Sequence, residues 1–538
     1  MKKYKDPVEI MTKHLEPAPS IIAERVKFRI KRQEQENHLK TCKGKAKYTS
    51  HRVQNEREAN ESLGFSILAD ETSDIAGKEQ LSIGIRYLDS NNIVKEQFLG
   101  FSELTAMDAR SISSSILKSL KGFNLNLNKL VGLGFDGCST MAGKDNGVQK
   151  LIRNEYPKAT FFHCSSHKLN LVINDLNSVQ VVQNSIGIIK EAIVFFKESP
   201  KRRSLIPNIP LFCETRWSAK YKSIRIFHEQ FATVITALEN ISLDNKFNAN
   251  TKSKAHQIVC SLSSPQFIVC LNVISKYSSL LEPVTNKLQA IVIDLLSVKN
   301  QVDLLIDMFE KDRQDADSVF STMFKECQEI ANDINVEIKV PRIVGRQIHR
   351  SNIQSRSAEK YFKVSLFIPY LDSIISSLKC RFAMDTTLAF SLSWFHPSII
   401  KEGKILTNDQ LQNISEKFGV ENLKAEYRTW QKVWENRKYT EDIGKLLNEE
   451  CDFFPNIKMC FQYFLVLPPT TCSIERSFST LRRVKTWLRS TIGESRLSGL
   501  CLISLHRDYV NQNQVAIIKK VIDMFAANKR NLKFLFDE

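Results

Sequence analysis

From residue 65 to residue 101 the chain carries three short β-type runs. FSILAD (65–70) is an apolar stretch that ends on a carboxylate. QLSIGIRYL (80–88) and IVKEQFLGF (93–101) are rich in β-branched and aromatic residues and are separated by the turn-forming DSNN, so three consecutive antiparallel strands are predicted. The period then changes. In ARSISSSILKSLKGF (109–123), Ile112, Ile116 and Leu120 recur at every fourth position, which predicts a helix. KLVGLGF (129–135) predicts a fourth strand ending at Asp136, and GVQKLIRNEY (147–156) a helix stopped by Pro157. ATFFHC (159–164) predicts a fifth strand, and SHKLNLVINDL a helix after it.

Three antiparallel strands followed by β–α units is the order of a ribonuclease-H-like fold. In that order the first and fourth strands are neighbours, and Asp70 and Asp136 end side by side. The region 181–450 has a different pattern. It is poor in glycine and helical in period throughout, for example in SKYSSLLEPVTNKLQAIVIDLLSVKNQVDLLIDMFEKD. IKVPRIVGRQIHRSNIQSRSAEKYF interrupts it as a basic loop. The last part, 451–538, holds an apolar segment, a Pro-Pro break and two helices meeting near Ile492-Gly493. Thr471 is a plausible N-cap, which sets Glu475 in a first helical turn. Residues 1–60 are polar and basic with one marginal helix, and read as a solvated arm or as an arm that binds a nucleic-acid backbone. The expected architecture is therefore α/β plus all-α. A basic arm occupies 1–60, the first part of an RNase-H-like domain 61–180, an all-helical insertion 181–450, and the C-terminal part of the domain 451–538.

Composition adds a partner and a compartment. With 538 residues the chain can bury a large core, and its formal net charge of +17 favours a polyanion such as DNA. The twelve cysteines are scattered without a C-x-x-C pair, as in a reduced cytosolic or nuclear protein. No run of about 18 or more apolar residues predicts a membrane span. The N-terminal basic residues have no apolar stretch behind them, which argues against a secretory signal.

The candidate chemistry rests on three carboxylates. Asp70, Asp136 and Glu475, at two strand ends and one helix start, are a donor set for hard Mg²⁺ or Mn²⁺ ions. Two such ions clamp the attacking and leaving oxygens of a phosphoryl transfer. Each acid taken alone also fits a turn or cap role, and Glu71 and Asp74 compete for the first position. Cys164 and His167, in HCSSH, have half of a zinc-site spacing without a matching second pair, so structural zinc is not expected and a buried polar pair near the carboxylates is. In CETRWSAKY, Arg216, Trp217 and Lys220 read either as a helix start with a core Trp, or as a DNA contact in which Trp217 stacks on a base and Arg216 meets a phosphate.

Taken together, ADETSDIAGKEQLSIGIRYLD, FDGCSTMAG, FHCSSHKLNLV, CETRWS and PPTTCSIERSFSTLRRVKTWLRSTIGESRLSGLCLISLHRD resemble the hAT superfamily of DNA transposases. Within it they are most similar to the zinc-finger MYM-type and II-I-repeat-domain-like group. The resemblance covers residues 65 to 510. It implies a nuclear DNA-binding protein with an RNase-H-like domain split by a helical insertion and closed by a C-terminal dimerisation block. By motif position it makes Asp70, Asp136 and Glu475 the catalytic carboxylates of metal-dependent DNA cleavage and strand transfer. Cys164 and His167 match the family's C-x-x-H element, and Arg216-Trp217 its R-W element. The family's N-terminal BED zinc finger has no counterpart upstream of residue 65, which leaves a non-catalytic, dimerising nuclear scaffold or regulator as the alternative. A shorter stretch, DPVEIMTKHLEPAPSIIAERVKFRIKRQEQ, resembles part of a retroelement capsid (gag) protein.

Overall fold

The computed structural model describes residues 49–206, 209–210, 217–290, 293–342, 353, 355, 357–383, 387–435, 437–440 and 442–526. It forms two units, one spanning Arg52–Leu505 and the other built from the two chain ends. The described part of the second is chiefly a helix, Gln514–Ala526. The capsid-like stretch lies outside the described residues.

The first unit is built on a five-stranded mixed sheet: β1 (Phe65–Ser73), β2 (Glu79–Leu88), β3 (Val94–Leu104), β4 (Leu130–Phe135) and β5 (Thr160–His163). The order is β3-β2-β1-β4-β5. β1–β2 and β2–β3 pair antiparallel, β1–β4 and β4–β5 parallel, so the first and fourth strands are neighbours as the pattern predicted. The longer helices alternating with these strands are α2 (Ala109–Gly122) and α3 (Val148–Glu155). Asp108 caps α2 by accepting from the backbone of Arg110 and Ser111, each at 3.0 Å.

Because successive strand residues point to opposite faces, the sheet has two distinct surfaces. One carries Phe65, Ile67, Ala69, Ile83, Ile85, Tyr87, Leu133 and Phe135, which pack on Ile112, Ile116 and Leu120 of α2 and Val148 and Ile152 of α3. Each such burial contributes about 1.5–3 kcal/mol. The opposite face, set by the pairs Ser66↔Arg86, Leu68↔Gly84 and Asp70↔Ser82, is small and polar. It is covered by the far end of the chain, α15 (Pro455–Val466) and α16 (Cys472–Val484). Arg86 is the strut. Fully buried, it pairs with Glu96 at 2.6 Å and donates to the carbonyls of Leu465 (2.9 Å) and Ile293 (2.7 Å). α17 (Glu494–Leu505) then sets Leu497, Cys501 and Leu502 against Phe98 and Phe101 of β3.

Between β5 and α15 the described elements are helices. The longer ones are α4 (Ser165–Asp175), α5 (Gln180–Lys197), α6 (Trp217–Glu229), α7 (Phe231–Leu243), α8 (Ala249–Leu262), α9 (Pro265–Leu288), α10 (Leu295–Gln314), α11 (Ala316–Asp333), α12 (Ile368–Arg381), α13 (Asn408–Phe418) and α14 (Leu423–Trp434). They share one core, which continues into α15. α9 is long and apolar enough to cross a membrane, yet most of its side chains are buried inside this core.

One element departs from the sequence reading. Thr49–Glu61, within the stretch taken for a polar arm, is a helix (α1) seated on the sheet. It has no apolar stripe, and what holds it is polar. Tyr87 donates to Glu58 at 3.0 Å, Lys129 reaches the Asn60 and Ser62 carbonyls, and Asn60 and Asn126 bond side chain to backbone. Among the described side chains of this helix, Ala59 enters the adjoining core.

Candidate functional site

The polar face of the sheet explains how residues hundreds of positions apart meet. Gly132 and Gly134 on β4 leave room for the ring of Pro468. A Cβ at Gly134 would fall 2.8 Å from Pro468 Cβ, and one at Gly132 2.9 Å from Pro468 Cδ. On β2, a Cβ at Gly84 would lie 2.2 Å from Ile474 Cδ1. The three glycines form a trough that accepts the segment from Pro468 to Ile474 flat against the strands. Side-chain bonds then fasten it: Ser82 Oγ meets Ser477 Oγ at 2.7 Å, the Thr471 amide donates to Cys164 Sγ at 3.3 Å, and the Ser165 amide donates to the Pro469 carbonyl at 3.0 Å.

This docking places Glu475 in the first turn of α16, beside Asp70. Thr471 holds the cap position, but its hydroxyl points at the Glu475 carboxylate (3.4 Å) rather than capping the backbone. Asp70 is not the last residue of its strand, since β1 runs on to Ser73. Pairing with β4 ends at Leu68↔Gly134, so beyond that point β1 has an open edge, and Asp70 sits there next to Asp136. Burial pushes the Asp70 carboxyl well above the ordinary carboxylate range, and repulsion from Glu475, Asp136 and Glu71 pushes it further. Asp136 keeps one buried oxygen, Oδ1, without a hydrogen-bond partner. Glu475 is exposed and opens the cluster to solvent.

The two competing acids separate. Asp74 is structural: it accepts from the Ala76 amide (2.8 Å) and the Gln80 side chain (3.0 Å) and forms a buried ion pair with Lys485. Burial would raise its pKa, but the Lys485 partnership and the backbone donors hold it below the usual value. Glu71 stays with the cluster. It points to the opposite face from Asp70, has a buried Oε2 without a partner, and is pushed up to about 7 by burial and by Asp136. The sequence signal was the adjacency of two acids on a strand, whose side chains must diverge around the open strand edge.

Cys164 and His167 do different work. Cys164 is buried and takes part in fixing the start of α16, with Cys472 beside it and bonded to Ser166 at 3.1 Å. His167 lies over His163, with ring centroids 5.3 Å apart. Burial, with Lys168 and His167 nearby, drives His163 down to about 3, so it is neutral. Arg216 lies outside the described residues, and Trp217 is described only as the backbone start of α6. Lys220 is a correction. It is 4% exposed and engaged inside the protein, on the turn that buries Tyr221 and Ile224, so it offers no charge to a DNA surface.

The donor set fits a hard divalent cation: oxygen ligands, charges of one sign around Asp70, and an unsatisfied buried carboxylate oxygen. Among the described residues, no three His, Cys, Asp or Glu side chains already stand in a metal-holding arrangement.

Comparison with known proteins relates two parts of the chain to described domain families. Residues 24–147 match the domain family DUF4371, described as the ZMYM1/FAM200 RNase-like domain. Residues 422–509 match the hAT family C-terminal dimerisation region. The two matches, in one chain, agree with the resemblance of its motifs to hAT-derived proteins. It is 24% identical over 479 residues to the 52 kDa repressor of the inhibitor of the protein kinase of Homo sapiens, covering 84% of this chain and 63% of that protein. The Mus musculus protein of that name is 23% identical over 480 residues, with the same coverage. The chain thus spans less than two thirds of these relatives. A 94-residue stretch is 32% identical to general transcription factor II-I repeat domain-containing protein 2 of Bos taurus, 17% of this chain and 10% of that protein.

Proposed function

We propose that the chain is a transposase-derived, self-associating, nuclear DNA-binding protein. In this reading Asp70, Asp136 and Glu475 hold Mg²⁺ or Mn²⁺ for cleavage and transfer of DNA strands. The observation that supports it most is the glycine trough, which brings a glutamate from the far end of the chain to a sheet edge already carrying two carboxylates. In the same reading the helices of 181–450 are an insertion between the two parts of one RNase-H-like domain. The metal ions, when bound, would activate the attacking oxygen and offset charge on the leaving one. The chain's own part is positional. Pro468 and Cys164 fix the start of α16, Thr471 orients the Glu475 carboxylate, and neutral His163 packs against Gly137 next to Asp136 without adding a competing charge. Arg216 and Trp217 are proposed to meet the DNA, supported by the net charge of +17.

A second reading has its own support. Two relatives matched over 84% of this chain carry the name repressor, and among the described residues the carboxylates do not form a ready-made metal cage. In that reading the fold persists as a dimerising regulator without cleavage. A nicking assay in Mn²⁺ separates the two. Cleavage by the wild type that is lost on Glu475→Gln supports the first, and equal nicking by both proteins, or by neither on any DNA form, supports the second.

A further inference from the structure

We propose that Trp487 and Leu488 are the anchor through which two copies of this chain associate. The proposal rests on reading residues 422–509 as a self-association region, a match that names a role for the segment but not the side chains that perform it. Most large apolar residues of that segment are already used inside the chain. Trp430 and Trp434 are buried in the helical core, Ile474 lies on Gly84, and Leu481, Leu497 and Leu502 pack on Phe98 and Phe101. Among the described residues of the segment, the exposed large apolar side chains are Tyr439, Phe453, Trp487 and Leu488, at 37%, 92%, 76% and 98% exposure.

Trp487 and Leu488 alone of these are adjacent. They stand on one short turn, Trp487–Arg489, closed by the Arg489 amide bonding the Thr486 carbonyl at 2.8 Å. The turn is held on both sides: α16 is tied to β2 through Ser477 and Ser82, and α17 to β3 through Ser498, which accepts from the Phe101 amide at 2.9 Å. The two side chains are therefore presented on a braced support, and little ordering cost remains when they bind. A Trp with arginines nearby (Arg483, Arg489) is a composition enriched at interface hot spots. Continuity with the dimerisation region favours a second copy of the chain as occupant, and a two-fold pairing lets each copy supply and receive the same patch.

The test is sedimentation velocity on the full chain at micromolar concentration, comparing wild type, Trp487→Ser/Leu488→Ser and Phe453→Ser. The expected result is a dimer for wild type and Phe453→Ser, and a monomer for the double variant, with a dissociation constant raised about 100-fold. Both side chains are in water in the single chain, so the double variant should keep the wild-type melting curve when dilute. Leu488→Asp alone gives an independent second reading. A double variant that dimerises as tightly as wild type overturns the proposal. So does one that dimerises normally but loses affinity for a labelled DNA oligonucleotide, which makes the turn a nucleic-acid contact. A wild type that is monomeric overturns the dimerisation reading itself, a result distinct from the failure of the anchor alone.

Discussion

The two faces of the central sheet are built on opposite logic. The face under α2 and α3 is large, apolar and completed by chain within about one hundred residues of it. The face under α15 and α16 is made mainly of glycine and serine, with Leu68, one aspartate and one buried arginine, and its cover comes from nearly four hundred residues away. The first face holds by burial of area. The second holds by shape and polar bonds, and it is the one that carries the candidate site. A close backbone approach with few large side chains leaves room for carboxylates at the strand edge, where a packed apolar layer would not.

Breaking the strut of the polar face should have the largest effect. Arg86→Ala leaves Glu96 buried without its partner and two carbonyls without a donor. The expected loss is about 3–5 kcal/mol in urea unfolding. Filling the trough comes next. Gly134→Ala sets a Cβ against Pro468 and Leu68, and overpacking of this kind costs about 1–3 kcal/mol. Its signature is positional: limited proteolysis should open near residues 467–471 while α2 stays protected. On the apolar face, Ile116→Val should cost only about 0.5–1.5 kcal/mol and leave protection at 467–471 unchanged. If Gly134→Ala and Ile116→Val gave the same proteolysis pattern, the two faces would not be separable in this way.

The smallest effect is one of pH. Glu71 has a folded pKa of about 7 against an ordinary 4.5, so the folded state binds more protons between these values. Stability therefore falls as pH rises across that window, and the penalty is complete above about 7. Glu71→Gln should match wild type near pH 4 and melt higher at pH 8, with metal chelated throughout. Equal melting temperatures at both pH values would remove Glu71 from the cluster. Asp74 runs the other way. Its lowered pKa means that the stabilisation it gives with Lys485 is present above the ordinary carboxylate value and is lost as pH falls through the folded one.

The apolar face was legible because its signals are local. Alternation in 65–101 and the fourfold spacing of Ile112, Ile116 and Leu120 are properties of single windows, and the neighbouring of β1 and β4 followed from element order. The polar face was not. Nothing in the spacing of Glu475 shows that it reaches the sheet, and only the motif resemblance placed it there. GLG in β4 reads as a weak strand until Pro468 is seen lying on it. Asp74 and Glu71 were indistinguishable as letters, and Lys485 and the parity of β1 separate them. α1 escaped because it has no apolar face to detect, and Lys220 misled because a lysine beside an Arg-Trp pair suggests a surface while its place on the helix turns it inward.

The central claim is that Asp70, Asp136 and Glu475 form one divalent-cation site. The measurement that tests it most directly is iron-directed cleavage. Fe²⁺ is added in place of Mg²⁺, ascorbate and peroxide generate radicals at the bound ion, and the backbone cuts are located by mass spectrometry. The expected result is cuts clustered near residues 70, 136 and 475, suppressed by excess Mg²⁺ and by Asp70→Asn. Scattered cuts, or a pattern unchanged in Asp70→Asn, would contradict it and leave the polar face as a structural seam without a metal.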